Sequence, residues 1–286
     1  MDLEVLALQA IFTVIWAAVL VAFFSRSARD PKEVGAWARA HALELTPRNQ
    51  GMVTYYVRLA IVLRVIGGVA GVVLGSSFDD ALGLDTSAGA GFWVWVVLGW
   101  LVGSGWAEYR LTRPGADDRA ASLLPRQVTD YLSPRLYAAP TVAAGVAVVA
   151  SLAGLVAPAP AEPQAEAPPD AALWLAALGA VLLAGLVNLA VRTVVARRQP
   201  TSHPDVLAAD DAIRAASVHH LAGGGAAAIL LIASQVAWTT MAPHHLPLGV
   251  RGWVPALLLL AAVVAWRWFA YQRWAVRRQA PSHPGL

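Results

Sequence analysis

Cysteine is absent from all 286 residues, which removes disulfides, thiolate metal sites and thiol nucleophiles at once. Charge of either sign is scarce as well: Asp, Glu, Lys and Arg make up 14% of the chain, and Lys32 is its only lysine. HExxH, GxSxG and Walker A patterns are missing, and no polar stretch is long enough to build a soluble catalytic or nucleotide-binding domain. No cofactor and no metal site is therefore expected. What is abundant is apolar: 58% of residues are hydrophobic and the mean hydropathy is +0.56. A soluble domain of this length cannot hide so much apolar surface, so the composition predicts a membrane protein. The net charge of +3 and pI near 9.6 do not point to nucleic acid, because the basic residues sit at the ends of apolar runs and not in a patch interleaved with aromatics.

Apolar runs long enough to cross ~30 Å of hydrocarbon fall at 4–24, 59–78, 91–109, 138–157, 172–194, 222–242 and 252–272. The expected fold is an all-α polytopic bundle of about seven transmembrane helices forming a single integral membrane domain over 1–286. The first run opens with Asp2 and Glu4 and lacks a small-residue cleavage site before "SRSARD", so it reads as a retained span and not a signal peptide. Arginine sets the orientation. Connections 25–58, 110–137 and 195–221 and the tail after 273 carry nearly all the basic residues, whereas 79–90, 158–171 and 243–251 carry only Arg251. This places the N-terminus outside and the C-terminus in the cytoplasm of a cell (inner, cytoplasmic) membrane. The outer segments "FDDALGLDTSAGAG" and "APAPAEPQAEAPPD" read as flexible connectors.

"RRQPTSHP" from Arg197 recurs as "RRQAPSHP" from Arg277, each at the exit of an apolar run. "ADDRAAS" from Ala116 echoes "ADDAIRAAS" from Ala209, and "LTPR" at Leu45 echoes "LLPR" at Leu123. The pattern implies one N-terminal span followed by outward hairpins 59–109, 138–194 and 222–272, copied in parallel. Gly67, Gly71 and Gly75 face Gly99 and Gly103 in consecutive runs, the spacing of a tightly packed hairpin or, alternatively, of a homo-oligomer seam. Residues 31–45 have Val34, Trp37, Ala38 and Leu45 at near-helical spacing, which predicts a helix either lying on the membrane surface or packed on the bundle.

An ionisable group inside a span is a candidate site. Arg64 is the clearest: it is expected either to snorkel to the inner headgroups or, pointing inward, to take Glu108, Arg192 and Arg267 as partners around an anionic ligand or lipid. Asp117, Asp118, Asp210 and Asp211 read most simply as helix caps and first-turn acids; clustered at one mouth, they would suit Mg²⁺-bound phosphate. Adjacent histidines diverge on a helix, so His219-His220 and His244-His245 are expected as interfacial polar residues and not as zinc ligands. Asn188 is expected to make a helix-to-helix hydrogen bond.

The functional expectation is a non-catalytic membrane component or accessory subunit of a transport complex. A cytoplasmic protein would dock on 110–137 and 195–221, and the bilayer would be the other partner. Two alternatives stay open: a membrane-embedded enzyme on lipid or isoprenoid-phosphate substrates, and a sensor or regulatory scaffold.

Overall fold

A computed structural model of the chain describes residues 30–82, 91–111, 126–157, 170–197, 203–241 and 248–269. The expected first span, most of both outer segments (83–90 and 158–169), Asp117, Asp118, His244-His245 and the second repeat copy lie outside the described residues. Every regular element among those described is helical: α1 Pro31–Ala40, α2 Gln50–Leu82, α3 Gly91–Leu111, a single 3₁₀ turn Val128–Asp130, α4 Pro134–Leu155, α5 Asp170–Ala196, α6 Pro204–Met241 and α7 Leu248–Val264, which continues into a π-helical turn Ala265–Phe269. Four of them, α2, α4, α5 and α6, are long and apolar enough to cross a membrane. The other two expected spans within the described residues are present as helices, α3 and the shorter apolar Gly252–Arg267, outside that set of four. Four tryptophans and four glycines dilute the aliphatic content of α3, and α7 gives way to the π turn after 17 residues.

Helix α1 begins with Pro31 at its first turn and Asp30 as cap, the Asp30 carboxylate accepting from Lys32 N–H at 2.9 Å, the arrangement that fixed φ and an orphan donor favour. It closes with Leu43 N–H on Ala38 C=O and Ala42 N–H on Arg39 C=O. That is a Schellman ending in which Ala42, at φ 50°, takes the left-handed position glycine usually fills. Val34, Ala38 and Leu43 then bury against Val53, Tyr56 and Val57 of α2. Of the two expectations for this segment, packing on the bundle is the one realised: Trp37 stacks on His41 and tilts against Tyr56.

Helix α2 starts earlier than its apolar run. Asn49, fully buried, accepts from Thr46 N–H and donates to the carbonyls of Glu44 and Asp205, so side-chain bonding turns the chain into the helix at Gln50. From there α2 and α3 form one hairpin with their backbones in contact. A Cβ on Gly67 would strike the Gly99 carbonyl, one on Gly71 the Trp95 carbonyl, and one on Gly103 the Leu63 carbonyl. The glycine stripe seen in the sequence is thus spent inside this hairpin.

In the second hairpin, Ser133 caps α4 and Pro134 occupies its first turn. Ala143, Ala144 and Ala147 of α4 meet Ala180 and Ala184 of α5 around Ile229 and Ala233 of α6. Asn188 donates to Thr141 Oγ1 at 3.2 Å, joining α5 to α4 as expected.

Helix α6 is the centre of the fold. Its 38 residues extend about 57 Å at 1.5 Å per residue, and α3, α4, α5 and α7 all pack on it. From Ala209 to Ile229 every residue is buried except Asp211, which is partly so. A run of Ala and Gly, "LAGGGAAA", lets four neighbours approach at once. This corrects the expected boundary: residues 204–221 belong to the core helix and not to a connection between helices. Asp210, Arg214, His219 and His220 break the apolar run, so hydropathy alone places the start of the helix too late.

Candidate functional site

The charged residues that interrupt α6 converge with others from α3, α5 and the segment before α4. Asp210 and Arg214 stand one turn apart, with Arg214 Nη2 on Asp210 Oδ2 at 2.6 Å, and they are 2% and 0% exposed. The other Arg214 terminal nitrogen donates to the carbonyls of Val194, Val195 and Arg197 at 3.1, 2.7 and 2.8 Å. They lie at the end of α5, where the Val194 carbonyl also accepts from Arg197 N–H, so the guanidinium caps that helix from a neighbour and meets the negative end of its dipole. Arg197, just past the same end, reaches Asp210 Oδ1 at 2.6 Å and Glu108 Oε2 of α3 at 3.4 Å.

Ser217 lies two turns further along α6 from Asp210. Its hydroxyl has both Glu108 Oε1 and the Ile213 carbonyl as acceptors, and Tyr56 OH of α2 stands 3.3 Å away. On the other side, Arg126 pairs with Asp211 at 3.2 Å and with Asp210 at 3.7 Å. Tyr131 donates to Asp211 Oδ1 at 2.9 Å and presents its ring to Arg214 at 5.9 Å. Burial and the adjacent Asp211 carboxylate raise the Tyr131 pKa well above the ordinary phenol range, so the hydroxyl remains a donor. Three guanidinium groups, from Arg126, Arg197 and Arg214, therefore face three carboxyl groups, from Glu108, Asp210 and Asp211.

Several expected assignments change. Asp210 and Asp211 are not caps of α6: that helix begins at Pro204 with Asp205 in its first turn, which puts the pair in the second turn, engaged by arginines. Glu108 bonds to Arg197 and Ser217, and its expected partner Arg64 stands within electrostatic reach of it. Arg192 donates to Tyr137 OH at 2.9 Å on the exposed side of α4 and α5, a different helix pair from Arg64. Arg267 is exposed on the π turn after α7. His219 and His220 are 2% and 7% exposed and hence not interfacial. They do diverge: His219 Nε2 lies 3.0 Å from the Tyr131 carbonyl, and His220 Nδ1 lies 2.6 Å from the Ala216 carbonyl with its ring 5.9 Å from Trp100. Among the described residues, no three histidines or carboxylates converge on a metal position.

Arg64 is half-buried. Its Nε donates to Ser104 Oγ at 3.1 Å, and its guanidinium lies 5.2 Å from the Trp100 ring centre. Reading the sequence passed over Arg126, Arg197, Arg214, Tyr131 and Ser217. One signal was present: an acid and an arginine four apart in "DDAIRAAS", the spacing of a helical ion pair. No family of known proteins, no curated protein and no solved structure matches this chain.

Proposed function

We propose that this protein is a non-catalytic integral membrane component that works by assembling with other subunits, in the manner of an accessory chain of a transport complex. In this reading the chain crosses a cell membrane seven times with its N-terminus outside, and its hairpins α2–α3, α4–α5 and α6–α7 are copies of one unit. The observation that carries it is the state of the carboxylates. Asp210 has one oxygen on Arg197 and the other on Arg214, Glu108 is held by Arg197 and Ser217, and Asp211 by Arg126 and Tyr131. A centre binding Mg²⁺ and phosphate needs carboxylate oxygens free to coordinate, whereas here they are bonded to the protein's own arginines. Their work is to join α3, α5 and α6, which favours a structural role over an enzyme acting on isoprenoid phosphates.

Purification from native membranes in mild detergent, with mass spectrometry of whatever co-purifies in stoichiometric amount, tests the reading. A cytoplasmic subunit at fixed ratio is the expected result; a solitary chain turning over a lipid phosphate would overturn it. Orientation is checked separately with single cysteines. One at Gln164 should react with a membrane-impermeant thiol reagent on intact cells and one at Ser202 should not, and the reverse pattern would invert the topology.

A further inference from the structure

We infer that Arg192 and Tyr137 hold the phosphate of an anionic phospholipid on the lipid-facing flank of the α4–α5 hairpin. This rests on α4 and α5 crossing a membrane and does not depend on the accessory-subunit reading. Arg192 is exposed, one turn before the end of α5 at Ala196, and its Nε donates at 2.9 Å to Tyr137 OH, at the close of the first turn of α4. The Tyr137 ring packs against the buried cluster that contains Leu132, Val191 and Val218. The guanidinium is thus steadied by a side chain that is itself fixed. Among the described residues no acceptor reaches the two terminal nitrogens of Arg192 or the Tyr137 proton. Those nitrogens form a fork suited to two oxygens of one phosphate, and the phenol adds a donor beside them.

The same flank grades from polar to apolar in the order of a phospholipid. Tyr137, Thr141 and Gly145 follow at four-residue spacing on α4, and Arg192, Asn188 and Gly185 at spacings of four and three on α5, so each set shares a helix face. About 6 Å deeper than Arg192 along the helix, Asn188 Nδ2 donates to Thr141 Oγ1 at 3.2 Å, and its second proton suits the ester carbonyl of a lipid. Beyond that rung the polar groups stop. A Cβ on Gly145 or on Gly185 would meet nothing within 4 Å, so the surface there is open, with Val142, Val149 and Leu186 exposed around it. Phosphate, ester and acyl chain each find a matching level. That gradient favours a lipid over free phosphate, and the helix end carrying Arg192 is the level at which lipid phosphates lie.

Full-length protein in detergent, titrated with phosphatidylglycerol, with diacylglycerol and with glycerophosphate and followed by native mass spectrometry, provides the test. Wild type should prefer phosphatidylglycerol to diacylglycerol, which lacks the phosphate, and to glycerophosphate, which lacks the chains. Arg192→Gln should weaken phosphatidylglycerol binding by about tenfold, and Arg192→Lys should retain part of it. Tyr137→Phe keeps the ring and its packing but removes the hydroxyl, and should weaken binding several-fold; it carries the test if Arg192→Gln fails to fold. Arg110→Gln removes another exposed arginine, in the last turn of α3, and should leave binding unchanged. Equal affinity for phosphatidylglycerol and diacylglycerol, equal losses in the Arg110 and Arg192 variants, or no loss in the Arg192 and Tyr137 variants would overturn the proposal. Arg192-dependent binding of glycerophosphate as tight as that of phosphatidylglycerol would overturn the lipid as the occupant.

Discussion

Between α2 and α3 backbone touches backbone at Gly67, Gly71, Gly99 and Gly103, and at one edge Arg64 bonds to Ser104. At the Pro204 end of α6 the helices meet through polar side chains, with six charged groups bridging α3, the end of α5 and the turn before α4. In lipid, where apolar surface gains little from leaving its surroundings, both are ways of holding helices together without a hydrophobic drive. They differ in tolerance. Glycine contact depends on shape and fails through any added atom, whereas the ionic cluster depends on charge balance and fails when one member is removed.

The largest effect should come from Arg214→Ala. It takes Arg214 from Asp210, which keeps Arg197, and removes a donor from the Val194, Val195 and Arg197 carbonyls, at a cost of about 3–5 kcal/mol, read as a lower midpoint for unfolding in denaturing detergent. Replacing Asp210 and Arg214 together with leucine should recover most of that loss. A second, smaller effect tests the other region: Gly67→Ala forces α2 away from the Gly99 carbonyl and should cost about 1–3 kcal/mol, without the recovery that a paired change gives the ionic cluster.

The smallest concerns His41, beside the α1 ending. Burial lowers its pKa below the ordinary 6.5, against an opposing hydrogen bond to the Trp37 carbonyl. As pH falls through 6.5 the unfolded chain takes up a proton that folded His41 refuses, so stability declines from there toward the lower folded value. His41→Asn should flatten that decline in unfolding midpoints followed from about pH 7.5 to 5. An unchanged slope would remove His41 from the pH response.

The sequence was most readable where structure follows from a local or periodic rule. Runs expected at 138–157 and 172–194 appear as Pro134–Leu155 and Asp170–Ala196, because their apolar stretches end where the helices do. The glycine spacing led straight to the α2–α3 contact for the same reason. For α6, the expected start at 222 stands against an observed start at Pro204. A hydropathy window scores Asp210, Arg214, His219 and His220 as polar one by one, and cannot see that Arg197, Arg126 and the end of α5 compensate them in space. The site was hidden for the same reason. Its members come from positions 108, 126, 131, 197, 210, 211, 214 and 217, and only the pair four apart on α6 leaves a trace in the linear order.

A double-mutant cycle on Asp210 and Arg214, using unfolding midpoints of Asp210→Leu, Arg214→Leu and the double variant, addresses the central claim that these charges hold the bundle together. The account predicts a coupling of about 1–3 kcal/mol, with the double variant more stable than either single one. Strictly additive losses would mean that the two residues act independently and that the cluster does not organise the junction of α3, α5 and α6.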